Sequence, residues 1–84
     1  LPHTRFGVAF SELKARLIDV VRRAGVDGID ADDLMGIVFG DRKRSRKTLK
    51  AHIWQINDAL TETDFRIRSK LRHYVLVHGA KNEP

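Results

Sequence analysis

The chain has 84 residues, no cysteine, and a formal net charge of +5 from 16 Lys and Arg against 11 Asp and Glu. That length limits it to one domain with a modest core, and without cysteine neither disulfides nor thiolate metal sites can staple the fold. The longest apolar runs, such as Tyr74-Val75-Leu76-Val77, are far short of the roughly 20 residues a membrane helix needs, and no signal-peptide pattern is visible.

Residues 1–10 carry Pro2 and Gly7 and read as an irregular arm or a short strand. Ser11 is a good helix N-cap, and Glu12 suits the positive end of the helix dipole. Leu13, Leu17, Val20, Val21 and Ala24 follow helical spacing, and Gly25 is a natural stop. The first helix is expected over about 12–24.

Val26-Asp27-Gly28-Ile29 has turn chemistry. Asp30 can cap a second helix over about 31–39, with Asp32 and Asp33 in its first turn. Leu34, Ile37 and Val38 are expected on its apolar side, and Gly40-Asp41 ends it. Capping and dipole compensation account for this acidic cluster without a metal ion.

A third helix is expected from near Ser45 to about Leu60. Leu49, Ile53, Ile56 and Leu60 recur at spacings of four, three and four and form its core stripe. Arg46, Lys47, Lys50, Trp54, Asn57 and Asp58 lie off that stripe. Trp54 therefore reads either as a packing residue at the helix margin or as part of a binding face.

After Asp64 the period changes to two. Phe65, Ile67, Ser69 and Leu71 alternate with Arg66, Arg68, Lys70 and Arg72, which predicts one mainly apolar face and one cationic face. Tyr74 to Val77 reads as a second strand, so residues 65–78 form a hairpin. No Gly, Pro or Asn marks its turn, which leaves the turn position open. Residues 79–84 are a polar tail, so the domain proper spans 11–78.

Three helices followed by a hairpin give a mainly α fold class with a small β-hairpin: a winged helix-turn-helix. Such a motif places its second helix in the DNA major groove, which admits one helix. Here that is the third helix, about 45–60. The charge distribution agrees. Residues 42–50 hold six basic side chains and no acid, and residues 66–72 hold four more, so ten of the sixteen cations fall in two short segments. The acids cluster elsewhere, in the stretch from Asp27 to Asp41. This polarity is the footprint of a nucleic-acid binder. The expected DNA-binding residues are Arg42, Lys43, Arg44, Arg46, Lys47, Lys50 and Trp54 on or before the third helix, and Arg66, Arg68, Lys70 and Arg72 on the wing.

Several segments resemble the C-terminal DNA-binding domain of OmpR/PhoB-type response regulators, over roughly Phe6 to Val77. Phe10-Ser11-Glu12-Leu13-Lys14-Ala15-Arg16-Leu17 is similar to that family's opening Leu-Thr-x-x-Glu-x-x-Leu-Leu. Asp32-Asp33-Leu34-Met35-Gly36-Ile37-Val38-Phe39-Gly40-Asp41 is similar to Glu-Glu-Leu-x-x-x-Val-Trp-Gly-Asp. Thr48 to Ile56 resembles the recognition helix, and Ile67-Arg68-Ser69 with Tyr74-Val75-Leu76 resembles the wing. The resemblance implies a helix in the major groove and a wing on the backbone or minor groove. The chain departs from the pattern at Asn57-Asp58-Ala59, where the family has basic residues, and at Leu71-Arg72-His73, where it has wing glycines. It also shows no phosphoacceptor domain and no leading sheet, so two-component signalling is not carried over. A phage or mobile-element regulator, or one domain of a larger protein, is equally compatible.

The four histidines, His3, His52, His73 and His78, have no paired spacing on one helix, so no zinc site is expected. His52 beside the core stripe suits packing or hydrogen bonding. No phosphate-binding glycine loop and no supported Ser/His/Asp set occurs. The expectation is therefore a sequence-specific DNA-binding protein of transcription regulation, not an enzyme, with no cofactor and no small-molecule ligand. Its expected location is cytoplasmic and nucleoid-associated, with no membrane partner. Double-stranded DNA is the expected partner, with a homodimer on DNA and RNA polymerase as further candidates. A winged-helix protein-interaction module using Trp54 and the hairpin stands as the alternative. RNA is a weaker candidate, because the hairpin has no paired aromatic platform.

Overall fold

The first helix is set at both ends by its own sequence. In the computed structural model, which describes residues 3–40 and 46–79, α1 spans Glu12–Ala24. The Ser11 hydroxyl accepts from the Lys14 N–H at 3.2 Å, and Gly25 closes the helix at positive φ. Its buried side chains are Ala15, Leu17, Ile18 and Val21, while Leu13, Val20 and Ala24 are only half-buried. The inward face is therefore rotated from the expected stripe toward Ile18.

Ahead of α1, the segment expected as an irregular arm or a short strand forms a small hairpin. Strand β1 (Thr4–Arg5) pairs antiparallel with β2 (Val8–Ala9). The two turn residues, Phe6 and Gly7, both have positive φ, as a twist-matched two-residue hairpin turn demands. Arg5 fastens this hairpin to α1. Its Nε donates to Asp19 Oδ1 at 2.8 Å and its Nη2 to Oδ2 at 2.9 Å.

After α1 a short 3-10 turn over Gly25–Asp27 leads into β3 (Ile29–Asp30) and α2 (Ala31–Phe39). Gly28 has φ of 75°, and a Cβ there would lie 2.7 Å from the Tyr74 carbonyl oxygen. Only glycine lets the chain pass this close to the neighbouring strand. The Asp30 carboxylate accepts from the Asp32 N–H at 2.9 Å, which caps α2 and holds its own pKa below the usual carboxylate range. Ala31, Leu34, Met35 and Val38 face the core at helical spacing. Ile37, expected among them, is 51% exposed.

Helix α3 spans Arg46–Ala59. Leu49, Ile53 and Ile56 are buried along it, and Leu60 just beyond it, as the spacing predicts. Strands β4 (Phe65–Lys70) and β5 (His73–His78) follow, and β3 pairs with the far side of β5. The three-stranded sheet thus runs β3-β5-β4, all antiparallel. The helices contribute most of the core, and Ile67 and Tyr74 add the sheet's share. Phe6 and Phe65 stack at 4.0 Å, and His78 stacks on Phe65 at 4.6 Å, tying the first hairpin to the base of the second. The fold is a mixed α/β arrangement of three helices and a few short antiparallel strands. No described helix is long and apolar enough to cross a membrane.

Candidate nucleic-acid interface

The register Lys70↔His73 places the hairpin turn at Leu71-Arg72. Both residues have positive φ, at 50° and 70°. A non-glycine residue there costs roughly 1–2 kcal/mol, so the turn is strained. The surrounding contacts hold it. Asp30 pairs with His73, and the Ala31 N–H donates to the Arg72 carbonyl at 3.0 Å. The tip of the hairpin is thereby docked on the first turn of α2.

The two-residue alternation of β4 holds only near its base. Ile67 is buried and Phe65 half-buried, but Ser69 is exposed and Leu71 is 88% exposed. Ser69, paired with buried Tyr74, borders the open groove beside α3, and Leu71 lies beyond the end of β4, in the turn. The other face is not uniformly open either. Arg66 is half-buried, and its guanidinium donates to the carbonyls of Leu60, Thr61, Thr63 and Phe65. These bonds tie the loop that follows α3 to the start of β4, and the Leu60 carbonyl also accepts from the Thr63 N–H and hydroxyl at 2.8 Å. Arg66, one of the side chains expected at the interface, thus directs its donors to backbone carbonyls within the fold. Arg68, Lys70 and Arg72 are exposed.

Asp32 brings two further cations together. Its carboxylate lies 3.2 Å from Arg46 Nη2, at the start of α3, and 3.4 Å from Arg72 Nη2, at the hairpin tip. All three side chains are substantially solvent-exposed, so these pairs contribute little stability. Their consequence is geometric, because α2, α3 and the hairpin meet around one carboxylate.

Lys50 and Trp54, one turn apart on α3, are both exposed, and Trp54 is 68% exposed. Trp54 is therefore not the half-buried packing residue that was one reading of the sequence. Lys47 is exposed one turn earlier. Lys50 and Trp54 form one wall of a groove of about 420 Å³, and Arg68 and Ser69 form the other. Buried Ile53, Ile67 and Tyr74 lie at its floor. Burial pushes the Tyr74 hydroxyl above its ordinary pKa, so it stays neutral. A larger hollow of about 540 Å³ beside α2 has Ile29, Asp33, Gly36, Ile37 and Gly40 among its described lining residues.

One residue that shapes the groove was missed as a positioning group. Asn57 projects from α3 beside β4, where its Nδ2 donates to the Ile67 carbonyl at 2.9 Å. Its Oδ1 accepts from the Ile67 N–H at 2.8 Å. The only sequence signal was a polar residue where the resembled family is basic. His52 lies against Phe39 at 5.6 Å between ring centres, a packing role. Arg42, Lys43 and Arg44 lie outside the described residues. Comparison with known proteins finds no matching family model, no matching curated protein and no matching solved structure.

Proposed function

We propose that this chain is a winged helix-turn-helix domain, of the kind found in OmpR/PhoB-type regulators, that binds double-stranded DNA and serves transcription regulation. It acts as a binding module, not as an enzyme. The observation that carries this reading is the groove where α3 and β4 meet, with Lys50 and Trp54 facing Arg68 and Ser69 across it. A helix and a basic strand converging on one concave surface suit a duplex, whose major groove takes the helix while the adjacent backbone meets the strand.

In this arrangement α3 enters the major groove. Lys47 and Lys50 donate to guanine edges, and Trp54 packs on a sugar or a thymine methyl group. Arg46, Arg68, Lys70 and Arg72 meet phosphates, with Arg42, Lys43 and Arg44 from the preceding basic run. Phosphate contacts supply affinity without sequence information, while base-edge contacts supply discrimination.

The test is selection of preferred duplexes from a random pool, followed by titration of selected and scrambled duplexes. Lys50→Ala should lose discrimination between the two. If it weakens both equally, Lys50 contacts only the backbone. If neither duplex binds the wild type, the exposed Trp54 favours a protein partner instead.

A further inference from the structure

The hairpin tip presents an unusual combination. Leu71 is 88% exposed, in a two-residue turn where both residues take positive φ. Glycine or asparagine would fit that backbone without strain. Leucine costs backbone energy and leaves an apolar side chain in water. Nor does Leu71 repay this by packing. Val26, near it around a shallow hollow that also includes Val75, is 96% exposed. Leu71 is flanked by Lys70 and Arg72, with Arg68 two residues further back on the same strand.

We infer that Leu71 is a wedge that enters the minor groove of bound duplex DNA and partly unstacks one base step, kinking the helix. The inference rests on the DNA-binding reading and adds the element that deforms the DNA. Apolar side chains inserted from the minor groove open base steps and bend DNA by about 20–90°. Flanking cations hold the two phosphate strands that border that groove. The tip is also pre-set. The Ala31 N–H holds the Arg72 carbonyl at 3.0 Å, and His73 pairs with Asp30. A wedge on a wandering loop would lose much of its binding energy in becoming ordered, whereas this one is braced against α2.

Backbone strain and function then pull in opposite directions at one residue. Leu71→Asn places at the tip a side chain that tolerates the left-handed region. The variant should melt no lower than the wild type, so loss of folding cannot account for its phenotype.

The experiment uses a short A·T-rich duplex with a central thymine–adenine step, a flexible kinking site, and a donor–acceptor pair on its ends. Anisotropy reports binding and energy transfer reports the bend. Wild type should raise energy transfer at saturation. Leu71→Asn should still bind, within about tenfold in affinity because the wedge contributes one apolar contact, but leave energy transfer near that of free duplex. Wild type binding without a bend, or Leu71→Asn bending the duplex as wild type does, overturns the wedge and leaves DNA binding intact. Failure of wild type to bind this duplex at low salt overturns both.

Discussion

The Asn57 side chain holds both backbone polar groups of Ile67, donating to its carbonyl at 2.9 Å and accepting from its N–H at 2.8 Å. A side-chain amide thus replaces the neighbouring strand that β4 lacks on its outer edge. The contact fixes the distance between the exposed face of α3 and the outer face of β4. Asn57→Ala leaves a partly buried N–H and carbonyl without these partners, which costs about 1–3 kcal/mol for each such group. The expected loss of stability is therefore about 2 kcal/mol or more, read as a lower urea midpoint with an unchanged slope. Duplex affinity should fall as well, because the two walls of the groove are no longer held in register. An unchanged midpoint would show that Asn57 does not hold the hairpin.

Arg66 and Arg68 are two residues apart and should behave oppositely. The Arg66 guanidinium spans four carbonyls around the end of α3. Arg66→Ala should destabilise the domain by about 1.5–3 kcal/mol. Arg66→Lys should recover little, because a point charge cannot reproduce the planar fork. Arg68 is exposed on the groove wall. Arg68→Ala should change stability by less than about 1 kcal/mol and flatten the salt dependence of duplex binding by about one unit of slope. Thermal melts and salt titrations on both variants separate the roles. The assignment fails if Arg66→Ala leaves the melting point unchanged.

How far the sequence was legible depends on whether the cause was local. Ser11, Asp30 and Gly25 act within a turn of themselves, so the ends of α1 and α2 could be read directly. The Leu49–Leu60 stripe was legible because one helix face meets one core. Strands β1, β2 and β3 are two residues each, too short to show a period. The β3 strand exists because Gly28 lets the chain approach β5. Leu71 and Arg66 broke the alternation for different reasons: β4 ends at Lys70, which puts Leu71 in the turn, and the carbonyls that follow α3 recruit Arg66. Arg46 and Arg72 were expected on the binding surface, but Asp32 as the carboxylate joining them was not. Spacing along the chain cannot show a meeting of residues from three different elements.

Acid should weaken the fold through two carboxylates. The Arg5 guanidinium hydrogen-bonded to Asp19 holds that carboxyl below its ordinary range, and the Asp32 N–H does the same for Asp30. A depressed native pKa gives stability that is complete above the unfolded value of about 3.9 and drains as pH falls through the native value. The melting temperature should therefore be nearly flat from about pH 7 to 5 and fall below about pH 4. Asp19→Asn should melt lower at neutral pH and show a shallower fall in acid. An equally steep fall in the variant would place the acid sensitivity elsewhere.

The salt dependence of duplex binding reads out how many phosphates the α3–hairpin surface meets. The two basic segments hold ten of the sixteen cations, and Arg66 is occupied within the fold. If about six of the remainder meet phosphates, log K against log salt should fall with a slope near −5 between about 50 and 200 mM salt. A slope near that value on random-sequence duplex is the expected result. A slope near zero, or no binding at the low-salt end, would contradict the account of the α3–hairpin surface as a DNA interface.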